Sequence, residues 1–324
     1  MDLRAVSRFT RLALLGLAFA ATTFAATAQD KFPSRPIEMV VNFGPGGGAD
    51  LMGRLIAKLL EPRLGVSVPV ANVAGSAGNA GLTKVKTSKA DGYTIGTMTG
   101  LSVSNWALGV GQLSLNDFTF IGITQLSPSM LFVPADSPHK SYKDLLAYAK
   151  ANPKKIRIAT AGYGTLDDVA VRYLVAKGYD VVNVPYAKPA ERYTSILGKH
   201  AEVLYEEPGD VVQFLNAKKM RALVVFDTER HVDFKDVPTG KESGHDLVQP
   251  NWRGIVGPPN MPSAVVKVLI DALIKATAAP EWKEFCAKTW SCTKPWTPEE
   301  SRKIAQTTFN DIAEFAKQHG LKKN

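Results

Sequence analysis

Only two cysteines and five histidines occur among the 324 residues. The histidines, His139, His200, His231, His245 and His319, never pair at metal-ligand spacing. The cysteines, Cys286 and Cys292, have no histidines nearby to complete a zinc pattern. No Gly-x-Ser-x-Gly elbow is present, which removes a common hydrolase signature. Beyond the N-terminal segment, no apolar run is long enough to span a bilayer. The net charge of +9 is spread along the chain, with no block of like charge and no basic run interleaved with aromatics. Nucleic acid is therefore not an expected partner. These absences leave no catalytic residue, no metal site and no cofactor to assign.

Glycine is what the chain has in a pattern. Phe43-Gly44-Pro45-Gly46-Gly47-Gly48-Ala49-Asp50 follows an apolar run, Ile37 to Phe43, and precedes a helical stripe of Leu51, Leu55, Ile56, Leu59 and Leu60. Strand, glycine turn and helix together aim backbone N–H groups at an anion. No Gly-Lys-Ser/Thr follows, so the run is not a nucleotide P-loop. No acidic residue lies about 20 positions on to hold a ribose, so a dinucleotide fingerprint also fails. The two remaining readings are a cradle for a small anion such as a carboxylate and an ordinary tight turn.

The N-terminus indicates export. Arg4, Arg8 and Arg11 precede an apolar core from Leu12 to Ala21, and Ala26-Thr27-Ala28 offers a small-x-small cleavage pattern. Residues 1–28 are expected to be a secretory signal peptide, leaving a soluble periplasmic protein. The mature chain would carry 296 residues and a charge of +7, because the removed piece holds three Arg and one Asp. That length suits two domains. An oxidising compartment favours a Cys286–Cys292 disulfide, with two reduced thiols as the alternative.

Strand and helix patterns alternate, which implies a parallel sheet covered on both faces. Strands are expected over Ile37–Phe43, Val66–Val73 and Tyr93–Thr99, then as two runs, Phe118–Leu126 and Met130–Pro134, broken around Pro128. A second βα series begins at Ile156–Ala161 and continues with Asn183–Tyr186, Val203–Tyr205 and Ala222–Phe226; Trp252–Val256 returns to the first domain. Helices are expected from about Asp50 to Leu64, over Ser263–Ala278, and from a capping box at Thr297-Pro298-Glu299-Glu300 to Gly320. The expected organisation is domain 1 from 29–125 and 252–324, with domain 2, 126–251, inserted. Open sheets bind ligands beyond the carboxyl ends of their strands. Three small-residue loops are candidates there, 43–50, 74–79 and 161–167.

Ser34-Arg35-Pro36-Ile37, Pro45-Gly46-Gly47-Gly48-Ala49-Asp50, Asn72, Gly75, Gly78-Asn79 and Ala90-Asp91-Gly92-Tyr93-Thr94 occur in that order. Gly162-Tyr163-Gly164-Thr165, Val184-Pro185-Tyr186, Leu197-Gly198, Val237-Pro238-Thr239 and Trp252-Arg253-Gly254 follow. This ordered set resembles the periplasmic receptors of tripartite tricarboxylate transporters, the TctC or Bug family. The resemblance implies an α/β type II periplasmic binding protein with a ligand cleft between its domains. It also implies a monomer without enzymatic activity that captures a small carboxylate and delivers it to a two-subunit membrane permease. Carried over, the ligand-binding set is Phe43, Gly46, Gly47, Gly48 and Asp50; Gly75, Ser76, Ala77 and Gly78; and Gly162, Tyr163, Gly164, Thr165 and Tyr186. Two other roles stay open, a carboxylate sensor facing a membrane signalling partner and a periplasmic enzyme acting on a carboxylate.

Two acidic features add detail. Asp168 stands where the family often has His, and a capping box with Thr165 accounts for it. Glu206 and Glu207 lie at a strand end and are either a solvated loop pair or carboxylates facing the cleft. In the second case they would favour a ligand with one carboxylate and a neutral or cationic far end.

Overall fold

The computed structural model describes residues 31–293 and 295–321; the expected signal peptide lies outside them. Nine strands form one sheet: β1 Glu38–Val41, β2 Val70–Asn72, β3 Thr94–Thr99, β4 Thr119–Pro134, β5 Ile156–Thr160, β6 Val181–Pro185, β7 Val203–Glu206, β8 Met220–Phe226 and β9 Pro250–Gly257. Their spatial order is β2-β1-β3-β9-β4-β7-β5-β6, with β8 also paired to β4. Pairs β1/β2, β1/β3, β5/β6 and β5/β7 are parallel. The pairs that β4 makes with β7, β8 and β9 are antiparallel, as is β3/β9. This is the α/β architecture expected, with a mixed centre.

Strand β4 corrects the expected break at Pro128. It runs unbroken for 16 residues because it changes partners there. Residues up to Pro128 pair with β9, and those from Ser129 pair with β7 and β8. Pro128 lies opposite Pro250, where the ladder to β9 ends. A proline, which cannot donate to a ladder, is tolerated at such an end. The expected boundaries 125/126 and 251/252 fall inside β4 and β9, so these two strands join the two lobes of the sheet.

Alternation along the strands explains the layers. Met39 and Val41 face one core and Val40 the other. In the second lobe Ile158, Val203 and Tyr205 face one core, and Ala159 and Leu204 the opposite one. Each face is covered by helices. In chain order these are α1 Gly48–Leu64, α2 Asn79–Thr87, α3 Gly100–Ala107, α4 Tyr142–Ala151, α5 Leu166–Ala176, α6 Pro189–Ser195, α7 Val212–Asn216, α8 Ser263–Thr277, α9 Pro280–Thr289 and α10 Pro298–Gln318. Helix α1 stops at Gly65, whose φ of 72° is left-handed. Helix α10 begins with the expected reciprocal Thr297–Glu300 capping box. Its first half packs on the first lobe through Ala305, and its second half packs on α5 through Ile312 and Ala316.

Cys286 and Cys292 are bridged, with Cα atoms 5.1 Å apart. Cys292 also pairs with Gln125 of β4, so the bridge ties the end of α9 to the joining strand. Replacing Cys286 with Ser should lower unfolding free energy by about 2 kcal/mol, from the chain entropy of a short loop. Denaturant titration with and without reductant checks this; equal midpoints would show that the bridge contributes nothing to stability.

Candidate functional site

The carboxyl ends of β1, β3, β5, β6 and β7 converge on a cleft between the lobes, as open α/β sheets predict. A residual cavity of about 40 Å³ lies there, and its lining includes Phe43, Gly47, Gly48, Thr99, Tyr186, Pro189, Arg192, Glu206, Glu207, Asp210, Asn251 and Arg253. That space suits a water or two rather than a ligand, so the lobes are closed on one another. A wider groove of about 640 Å³, lined in part by Lys155, Ala201 and Glu202, lies at the amino ends of β5 and β7. It is at the wrong end of the sheet for the glycine loops.

Of the residues expected to bind ligand, Phe43, Gly47, Gly48, Tyr186, Glu206 and Glu207 line the cavity. Gly46, Asp50, Gly75, Ser76, Ala77, Gly78, Gly162, Tyr163, Gly164 and Thr165 do not line it. The loops after β2 and β5 meet instead across α3. Ser102 Oγ donates to the Ala77 carbonyl at 3.1 Å and Ser104 Oγ to the Gly164 carbonyl at 2.7 Å. The ring of Tyr163 is exposed.

Both glycine loops are braced by the same device. Asp50 accepts from Gly46 N at 3.0 Å, from Arg54 Nε at 2.9 Å and from Asn72 Nδ2 at 2.8 Å. Asp168 accepts from Gly164 N at 2.8 Å, from Arg172 Nε at 2.8 Å and from Asn183 Nδ2 at 2.7 Å. Burial works against the charge of Asp50, but these donors outweigh it and hold its carboxyl below the ordinary range. The expected Thr165–Asp168 capping box is absent. The Thr165 hydroxyl donates to the Gly162 carbonyl, and Asp168 reaches one residue further back to Gly164.

The cleft itself is ionic. Glu206 and Glu207 are buried, which excludes the solvated-loop reading. Arg192 pairs with Glu206 and lies 3.7 Å from Asp167. Arg253 Nη2 reaches Glu207 Oε2 at 2.7 Å and Asp210 Oδ2 at 2.6 Å. Asp210 Oδ2 also accepts from Gly48 N, across the cleft, at 3.2 Å. Ala161 N donates to Asp167 Oδ2 at 2.7 Å. Sequence reasoning missed Arg192, Asp210 and the cleft role of Arg253. A basic residue inside the apolar run 252–256 was the available signal.

Four buried carboxylates thus face two buried guanidiniums. Burial pushes Glu206 up to about 7, against the pull of Arg192 and with the repulsion of Glu207. Burial likewise lifts Asp167 and Asp210 to about 6, opposed by Arg192 and Arg253 respectively. Burial also opposes the charge of both arginines, but their acidic neighbours overcome it and keep them protonated.

A glycine-loop cleft between two lobes joined by crossover strands is the architecture seen in solved periplasmic binding proteins. The chain belongs to the tripartite tricarboxylate transporter receptor family, TctC, whose model matches residues 52–321. It is 34% identical over 307 residues to the UPF0065 protein of the tcbD-tcbE intergenic region of Pseudomonas sp. strain P51, covering 92% of this chain and 90% of that one. The structure of the periplasmic binding protein BugD superposes with a TM-score of 0.83 at 28% identity, covering 90% of this chain and all of BugD. MatC of Rhodopseudomonas palustris, solved with malate, shares the fold at a TM-score of 0.81 and 21% identity, over 88% of this chain and 99% of MatC.

The raised carboxyls have a definite pH signature. An acid whose folded pKa exceeds its unfolded value binds its proton more tightly when folded, so its contribution to stability is lost as pH rises through that window. For Glu206 the window runs from 4.5 to about 7. His139, His245 and His319, shifted down by burial, act in the opposite sense. Comparison with Glu206→Gln isolates the carboxyl. The ligand-free wild type should lose more melting temperature than Glu206→Gln between pH 4.5 and 7, and parallel curves would refute the assignment.

Proposed function

We propose that this chain is a periplasmic receptor that captures a small carboxylate between its lobes and delivers it to a two-subunit membrane permease. The observation that carries the reading is the closed cleft at the carboxyl ends of five strands, with the N-terminus of α1 on one wall and the β7 end on the other. The family description supports the transporter and the ligand class. No helix among the described residues is long and apolar enough to cross a membrane. The lobes serve as the two domains, and β4 and β9 act as the crossover about which they close.

Capture proceeds without covalent chemistry. A ligand enters the parted lobes, binds one wall, and the second wall folds over it. Closure brings Gly47 against Pro189 of the other lobe; a Cβ built on Gly47 would lie 2.8 Å from Pro189 Cγ. Gly47→Val should therefore hold the lobes apart and reduce ligand affinity by at least about tenfold, a loss of order 1.4 kcal/mol. Isothermal titration against wild type reads this, and unchanged affinity would displace the site from this loop.

The ligand class is tested on mature protein stripped by unfolding and refolding. Melting temperature is measured against citrate, C4 and C6 dicarboxylates, aromatic acids, keto acids and amino acids. A ligand that binds only the folded state raises the midpoint by mass action. A selective rise of several degrees is expected for one chemical class, and a flat response from verified refolded protein would overturn the carboxylate reading.

A further inference from the structure

Loop amides are the donors that a bare carboxylate would need, and several of them already hold carboxylates of the protein itself. Gly46 N is taken by Asp50, Gly48 N by Asp210, Ala161 N by Asp167 and Gly164 N by Asp168. What the closed cleft offers in excess is acceptors. Oxygens of Glu206, Glu207 and Asp210 lie within 4.8 Å of one another. Both N–H donors to Asp210 land on Oδ2. Beside this cluster, Thr99 and Asn251 line the same cavity and are each 2% exposed. Thr99 Oγ1 and Asn251 Oδ1 are buried with no hydrogen-bond partner among the described residues. Asn251 Oδ1 is a buried acceptor without a donor, which costs free energy unless something supplies the proton, and the Thr99 hydroxyl can accept or donate in turn.

The charges point the same way. Asp167, Glu206, Glu207 and Asp210 outnumber the two guanidiniums, and a purely anionic ligand placed among them would meet further acid groups rather than donors. Resting on the reading of this cleft as the capture site, we propose that it takes a ligand bearing a protonated nitrogen as well as its carboxylate. The ammonium is seated by Asp210 and Glu207 with Asn251 and Thr99. An ammonium brings three donors and no acceptor, the complement of this wall. The residual space of about 40 Å³ is on the scale of such a group. Arg192 supplies the other pole: it lines the cavity, and its Nε is a buried donor with no acceptor among the described residues.

A divalent cation is the competing occupant of three clustered carboxylates. Arg253 Nη2 already bridges Glu207 Oε2 and Asp210 Oδ2, so a metal there would press against a guanidinium. An ammonium is the weaker intruder, because it needs one or two of those oxygens rather than a full coordination shell.

The test uses mature, refolded protein and ligands matched in carbon skeleton. Propanoate is compared with 2- and 3-aminopropanoate and with succinate. Butanoate is compared with 4-aminobutanoate and glutarate, and 3-phenylpropanoate with phenylalanine. CaCl2 and MgCl2 are titrated alone. The amino member of at least one set should bind about tenfold or more tightly than its deaminated partner and, in the first two sets, than its dicarboxylate partner, the discrimination expected of a charge-assisted hydrogen bond. Asp210→Asn and, should that variant not fold, Glu207→Gln should erase the preference while leaving a weaker carboxylate affinity. A dicarboxylate or plain monocarboxylate that binds as tightly as its amino partner in every set overturns the proposal and leaves the receptor reading standing. Binding of calcium or magnesium without any amine preference overturns it in favour of a metal. Silence across all three sets overturns the proposal, and the wider carboxylate panel then decides the receptor reading separately.

Discussion

Arg253 is the charge on which the closed cleft depends. It projects from β9, one of the two joining strands, and its guanidinium holds Glu207 and Asp210 of the segment that follows β7. Asp210 in turn holds the first amide of α1. One buried cation therefore connects the joining strand, the second lobe and the first lobe in a continuous set of contacts. Buried ion pairs are poor investments in stability, because desolvation can exceed the Coulombic gain. Removing a single partner is far worse, since it strands the others unpaired in the interior. The network lies at the carboxyl ends of the strands and not in the apolar cores. That is where the proposed capture site lies, and the apolar cores are built without it.

The two lobes repeat a local solution. Each glycine loop turns back on an aspartate in the first turn of the next helix, with an arginine one helical turn on and an asparagine on the following strand. The aspartate satisfies a loop amide four residues before it, and the asparagine fixes the carboxylate from the sheet side. Such bracing makes the loop a rigid wall whose shape does not wait for ligand. The repeat is imperfect in one respect. Ala49 precedes the aspartate in the first lobe, where Asp167 precedes it in the second. That difference places a buried acid beside Arg192 and contributes to the surplus of carboxylates.

Much of this was legible in the chain. The alternation of strands and helices, the Thr297–Glu300 cap and the Gly65 stop are local properties, set by residues within a turn or two of one another. Pro128 misled because a strand that changes partners looks, in one dimension, like a strand that ends. Thr165 and Asp168 misled for a related reason: the spacing suits a capping box, but Gly164 lies closer to the carboxylate. The ion network was the least legible part. Glu206 meets an arginine 14 residues earlier and Glu207 one 46 residues later, and only the completed sheet brings them together. A Glu-Glu pair at a strand end reads the same whether solvated or buried.

The contacts between the lobes are of two kinds, and their energetics differ. On the α1 side they are polar: Gly48 to Asp210 and Arg253 to its acids, with Gly47 against Pro189. Water can replace each of these bonds when the lobes part, so little is lost beyond the pairing itself. On the α3 side the Ser104–Gly164 hydrogen bond is joined by an apolar contact. Leu101, Ala107 and Leu108 of α3 and its end share a core with Leu166 and Val169 of α5, and the second half of α10 packs against the same core. Exposing that surface costs about 25 cal/mol for each Å² of apolar area. The cheaper separation therefore lies on the side of the ionic cluster, with the apolar seam of α3, α5 and α10 staying shut. Opening along that side would carry Glu206, Glu207 and Asp210 away from the α1 terminus. The groups that must be desolvated for closure are thus the same groups that would meet an incoming ligand first.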